Sequence, residues 1–161
     1  MREIDSNSRL SRLDIALFDF REARDFAEYI LRERLHDVKS SIAKAKLAHR
    51  AFNTSMIVSY IRPFQGNDEP DGTKVRLSAV AISLNETERV LHEEVRNKRN
   101  KVFAHSEWLS HEFEGINFDG LIRIYKPASD PLTIEKTELL LGMIGKWIKH
   151  IKSLRVTAKQ Q

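Results

Sequence analysis

The stretch LSRLDIALFDFREARDFAEYILRER, residues 10–34, contains neither glycine nor proline, and its apolar residues recur at intervals of three and four. Leu10, Leu13, Leu17, Phe20, Ala27 and Leu31 form one stripe, widened by Ala16, Ala23, Phe26 and Ile30. Asp14, Arg21, Arg24, Asp25, Glu28 and Arg32 take the other side. A repeat near 3.6 residues gathers such a stripe onto one face, so the pattern predicts an amphipathic helix from about Asp5 to Arg34, with Asp5 or Ser8 as its cap.

The distribution of chain breakers extends this reading. The 161 residues include only six glycines and four prolines, and none of these falls in residues 1–62 or 73–114. Sandwiches and barrels need Gly, Pro and Asn at short intervals for their turns, so long breaker-free stretches favour helices. His36 and Asp37 interrupt the first period. A second helix then starts at Asp37 or Ser40, runs through Ile42, Leu47, Ala48, Ala51, Phe52, Ser55, Met56 and Ser59 to about Arg62, and should stop at Pro63. The segment PFQGNDEPDG, residues 63–72, has three acids, no base and four breakers, which is the composition of a surface loop.

A third helix should begin between Lys74 and Asn85 and continue through Val90, Leu91, Val95, Val102 and Phe103, with Leu84, Leu91, Val95, Lys98 and Val102 on one stripe. From His111 to Thr133 the helical period lapses and Leu121–Tyr125 alternates, as in a long loop or a short hairpin. The last helix follows Thr133, with Ile134, Leu141, Ile144, Trp147, Ile148, Ile151 and Leu154 as its stripe and RVTAKQQ as a fraying tail. Gly142 and Gly145 inside it each cost about 1 kcal/mol relative to Ala, which suggests close approach of a neighbouring helix. The expected architecture is all-α: a single domain, residues 1–161, forming an antiparallel bundle of four or up to five helices.

Composition removes several function classes. There is no cysteine, so disulfide, thiolate-metal and thiol chemistry are excluded, and a cytoplasmic location is the expectation. The start MREIDSNSRL lacks the apolar stretch of a signal peptide, and no run resembles a membrane span. The net charge of +4 is carried mostly by residues 132–161, with six Lys and Arg against two Glu. On its own that is a weak indication of a polyanionic partner, because a lysine row opposite an apolar stripe is usually the solvated face of a helix. No Gly-rich phosphate loop, HExxH or serine elbow is present, and His36, His49, His92, His105, His111 and His150 show no metal-ligand spacing.

The chemistry concentrates in RNKRNKVFAH, residues 96–105. Four cations within residues 96–101 repel one another unless acids lie near or a polyanion arrives; Glu93 and Glu94 supply some neutralisation. A solvated basic helix end complementing the macrodipole accounts for the charges alone. On an ideal helix Arg99 and His105 fall on the two borders of the Leu91/Val95/Val102 stripe, about 120° apart, whereas Asn100 falls on the far side.

The segment Arg99-Asn100-x4-His105, written RNKVFAH, resembles the R-polar-x4-6-H signature of the HEPN superfamily of small helical proteins, and its wording is similar to the abortive-infection, AbiU-like branch. The element SYIRPF, residues 59–64, is similar to a Tyr-x-Arg-Pro-Phe segment of that branch, and a signature on the third of four helices fits it too. Arg96-Asn97 precedes the same histidine at too long a spacing, so the motif is assigned to Arg99 and Asn100, with Arg96 as a helper.

That resemblance implies a ribonuclease of toxin or phage-defence type, cleaving RNA without metal or cofactor. His105 would exchange protons with the ribose 2′-OH or the 5′-oxygen, Arg99 would hold the scissile phosphate, and Asn100 would orient substrate or side chains. It further implies a homodimer with a shared cleft lined by Arg96, Lys98, Lys101, Tyr60 and Arg62, and an antitoxin or nucleotidyltransferase partner. The competing expectation is a helical dimer that binds RNA, a nucleotide or a protein without catalysis.

Overall fold

The computed structural model describes residues 6–37, 43–65, 67–68, 74–75, 77–78, 81–103, 113–116, 122–125 and 130–158. Four helices, α1 Ser6–Arg32, α2 Ala43–Gln65, α3 Glu86–Phe103 and α4 Ile134–Ala158, pack around one apolar core. Two short antiparallel pairs accompany them. β1 Asn67–Asp68 pairs with β2 Lys74–Val75, and β3 Phe113–Ile116 pairs with β4 Ile122–Tyr125 in the register Phe113↔Tyr125 to Ile116↔Ile122. The second pair is the hairpin that the alternation at residues 121–125 suggested.

Helix α1 is the spine. Phe20, Ala23, Ala27 and Ile30 are fully buried, while Ile15 and Phe18, equally apolar but off the stripe, stay 51% and 63% exposed. Phe26 meets Phe52 and Arg62 meets Asp19, so α2 runs antiparallel to α1. Phe20 stacks on Trp147 and Asp14 pairs with Arg155, so α4 does the same on the other flank. Helix α3 packs on α2 and α4 and lies antiparallel to α4, with Glu88 on Lys146 and Glu94 on Lys136. Each helix sends an aromatic ring into the centre: Phe20 from α1, Tyr60 and Phe64 from α2, His92 from α3 and Trp147 from α4, with neighbouring centroids 4.8–5.9 Å apart.

Helix ends follow local chemistry. Helix α1 stops at Arg32, and Arg34 takes a left-handed φ of 50° before the 3-10 turn Leu35–Asp37. Ser8 lies inside α1 and so is not its cap; Asp5 and Ser40 lie outside the described residues. Asp37 belongs to the 3-10 turn, and α2 begins at Ala43. Asn85 caps α3 reciprocally with Glu88: the Glu88 amide donates to Asn85 Oδ1 and the Asn85 amide to Glu88 Oε2, both at 2.9 Å. Thr133 caps α4 through the Lys136 amide, 3.4 Å away.

Three further expectations are corrected. Pro63 does not stop α2, which continues to Gln65. A proline in a last turn forfeits one hydrogen bond, and here Phe64 must reach the aromatic centre while the Pro63 carbonyl accepts the Leu77 amide at 2.9 Å. The tail does not fray at Arg155: α4 persists to Ala158, held by Arg155 on Asp14 at 2.7 Å. Gly142 and Gly145 are exposed, and a Cβ added at either would meet nothing within 4 Å, so no neighbouring helix explains them. Replacing each by alanine should raise stability by about 0.5–1 kcal/mol through unfolded-state entropy, read as a higher urea midpoint. An unchanged or lower midpoint would contradict the open environment.

Candidate functional site

The motif begins on the last turns of α3. Arg99 is half-buried, and burial pushes its guanidinium below its ordinary value without removing its charge. Its NH1 lies 3.5 Å from the Asn100 side-chain oxygen, the long end of a hydrogen bond. Asn100 is exposed, as the helical projection predicts, and the same oxygen lies 3.5 Å from Gln65 Nε2 at the end of α2. Two helix ends thus converge on Asn100. Gln65 was not singled out in the sequence, and nothing short of the packing of α3 on α2 identifies it.

The neighbouring cations are not equivalent. Arg96 lies on the exposed side, 3.6 Å from Glu93. Lys98, only 19% exposed, donates to the Asp130 carbonyl at 2.9 Å and stands 4.0 Å from Glu94. Both Glu94 oxygens also accept from Lys136, at 2.9 and 2.7 Å. Lys98 therefore fastens α3 to the segment leading into α4, and shares Glu94 with Lys136. The side chain of Lys101 and the whole of His105 lie outside the described residues.

Tyr60 and Arg62, expected to line a cleft, both make contacts within the bundle. Tyr60 is fully buried, and its hydroxyl meets His92 Nδ1 at 3.0 Å; burial raises the phenol well above its usual range. Arg62 is half-exposed, but NH1 rests on Asp19 at 2.5 Å and faces Glu22 at 3.8 Å. Ser59 donates to Glu22 at 2.5 Å. Burial raises the Asp19 carboxyl in spite of Arg62 beside it. The SYIRPF element is accordingly a joint, in which Ser59 and Arg62 hold α1, Tyr60 holds α3 and Phe64 enters the aromatic centre. Helical spacing carries the signal, since Tyr60 follows the buried Met56 by one turn.

The opposite end of α3 is held by a buried carboxylate. Glu88, with its side chain 6% exposed, accepts two bonds from Lys146 at 2.7 and 2.8 Å. Lys146 first, aided by the Asn85 amide, keeps its carboxyl below the usual value against desolvation. The sequence signal is N-E-T-E, residues 85–88, whose Asn and Glu stand three apart.

Histidine burial sets a pH dependence. Burial lowers the pKa of His92, with Glu93 opposing and Arg96 reinforcing the shift. Burial also lowers His49, helped by the His36 ring 4.7 Å away. Both groups bind protons more readily unfolded than folded, so the stability tied to their neutral forms is complete above the unfolded pKa of about 6.5 and is lost as pH falls through their lower folded values. The urea midpoint should fall between pH 7.5 and 5.5, and less so in His92→Gln. A flat profile over that window would contradict the assignment.

Among the described residues no helix is long and apolar enough to cross a membrane, and no group of three or more His, Asp or Glu is placed to hold a metal ion. Comparison with protein-family models, with curated proteins and with solved structures finds no match to this chain.

Proposed function

We propose that this chain is a HEPN-like endoribonuclease of toxin or phage-defence type, acting in the cytoplasm as a homodimer, with Arg99, Asn100 and His105 as its working residues. The observation that carries the reading is Arg99, a half-buried guanidinium beside Asn100 near the end of α3, within the RNKVFAH segment. A desolvated, permanently charged fork is suited to holding a phosphodiester and to stabilising the charge that builds on it.

In the proposed reaction the ribose 2′-oxygen attacks phosphorus. Its proton passes to an imidazole, the O2′–P bond forms, and the P–O5′ bond breaks as a second proton reaches the departing 5′-oxygen. The products are a 2′,3′-cyclic phosphate and a 5′-OH end, and the step consumes no metal, cofactor or external nucleophile. One imidazole cannot readily serve as base and acid in a single turnover, which is the chemical reason for two copies of His105 in a shared cleft. Arg96 and Lys101 remain as candidate phosphate contacts, whereas Lys98, Tyr60 and Arg62 support the fold. An antitoxin or nucleotidyltransferase partner belongs to the same reading.

The test is Arg99→Lys on a labelled RNA. A point charge does not replace the planar fork, so cleavage should fall by roughly 10²-fold while the urea midpoint stays unchanged. Wild-type cleavage by the variant, or a monomer in light scattering at micromolar concentration, would overturn the shared-cleft reading. RNA binding without any cleavage would favour the non-catalytic module.

A further inference from the structure

By running past Pro63, α2 brings Gln65 to the candidate site. The three residues before it are each fastened. Arg62 rests on Asp19 of α1, the Pro63 carbonyl accepts the Leu77 amide at 2.9 Å, and Phe64 packs among Phe20, His92 and Trp147 with centroids 4.8–5.7 Å apart. Gln65, half-buried and the last residue of the helix, therefore starts from a backbone tied to all the other helices of the bundle.

Donor and acceptor chemistry says what its side chain does there. The Asn100 amide has one acceptor oxygen and one amino group with two donors, and turning it over exchanges the two. Its neighbours decide the sense. A guanidinium can only donate, so Oδ1 faces Arg99 NH1, 3.5 Å away. Gln65 Nε2, also at 3.5 Å, gives the same oxygen a second donor from a different helix. Both contacts are long, so they fix the sense of the amide more than they stabilise the fold.

The two donors differ in what they are tied to. Arg99 is the neighbour of Asn100 along α3 and moves with it, whereas Gln65 belongs to α2 and refers the amide to the rest of the bundle. With Oδ1 turned to Gln65 and Arg99, the two N–H donors of the exposed Asn100 are left for a ligand. Such donors suit an acceptor oxygen of the substrate.

We infer that Gln65 is a positioning residue for the proposed cleavage, holding the Asn100 amide with its oxygen inward and its N–H donors toward the substrate. The role rests on the cleavage reading and adds to it a residue outside both RNKVFAH and SYIRPF. Gln65 acts through Asn100 and is not asked to touch the reacting atoms.

The test is a double-mutant cycle on a labelled RNA, with kcat and KM measured for the wild-type chain, Gln65→Met, Asn100→Ala and the double variant. Methionine keeps the length of the side chain and adds no charge, but it donates no hydrogen bond. Gln65→Met should lower kcat by about fivefold, the size of one hydrogen bond, with KM and the urea midpoint unchanged. Asn100→Ala leaves no amide to orient, so in that background the same substitution should cost less than about twofold. Should Asn100→Ala cut too slowly to measure, Gln65→Lys decides: it restores a donor, and its kcat should return to within about twofold of wild type. A further fivefold loss in the Asn100→Ala background, a Gln65→Lys as slow as Gln65→Met, or a Gln65→Met with wild-type kcat, a change confined to KM or a lowered urea midpoint would overturn the role and leave the cleavage reading in place. A wild-type chain that cuts no RNA overturns the cleavage reading, and the positioning role falls with it.

Discussion

Trp147→Ala should lower the stability of the bundle by about 3–5 kcal/mol, the largest single-residue loss expected outside the motif. Trp147 is fully buried, lies parallel to Phe20 with centroids 5.8 Å apart, and meets Phe64 edge-on at 5.0 Å. Removing the indole leaves a cavity where α1, α2 and α4 meet, and rigid helices can close it only in part. A domain of this size is stable by roughly 5–15 kcal/mol, so the loss would take up much of the reserve. Urea unfolding followed by circular dichroism gives the value, and a loss below about 1 kcal/mol would show that the aromatic centre does not organise the fold. Trp147→Phe, which keeps a ring against Phe20, should cost distinctly less.

His105→Ala should reduce RNA cleavage by about 10²–10⁴-fold, the span attributed to a positioned acid or base. His92, two turns before Arg99 on the same helix, is buried with Nδ1 on the Tyr60 hydroxyl. The expected loss is in turnover rather than in RNA affinity, since the imidazole is asked to move protons and Arg99 to hold the phosphate. A variant that still binds labelled RNA, unfolds at the wild-type urea concentration and no longer cleaves would satisfy the proposal.

The helices were legible where periodicity alone decides burial. The stripe in α1 separates Phe20 and Ile30 from Ile15 and Phe18 although all four are large and apolar, because angular position on the helix, not residue type, determines which face meets α2 and α4. Boundaries were less legible. Pro63 ends a helix in a local reading, but Phe64 gains a place between Phe20, His92 and Trp147 that outweighs one missing hydrogen bond. Gly142 and Gly145 carry a cost visible in the sequence, yet the packing inferred from it is absent, since the helix penalty is a local property and the neighbour is set by the tertiary fold.

The candidate site was legible in its residue types more than in its partners. The helical projection puts Arg99 on a border of the α3 stripe and Asn100 on the far side of the helix, which agrees with a half-buried arginine and an exposed asparagine. What could not be read was which cations the fold itself consumes. Lys98 and Arg62 look like the other basic residues of the sequence, but the Asp130 carbonyl that Lys98 meets and the Asp19 carboxylate that Arg62 meets are chosen by helix packing. Tyr60 is the converse case, in which the motif suggests a place at a cleft while its spacing from the buried Met56 agrees with its place in the core.

The most direct test of the account is the chemistry of the RNA ends produced by the purified chain in excess EDTA. Fragments bearing 2′,3′-cyclic phosphate and 5′-OH ends are expected from the wild-type chain and not from His105→Ala. Fragments with 5′-phosphate ends, or full cleavage by the His105→Ala variant, would contradict it.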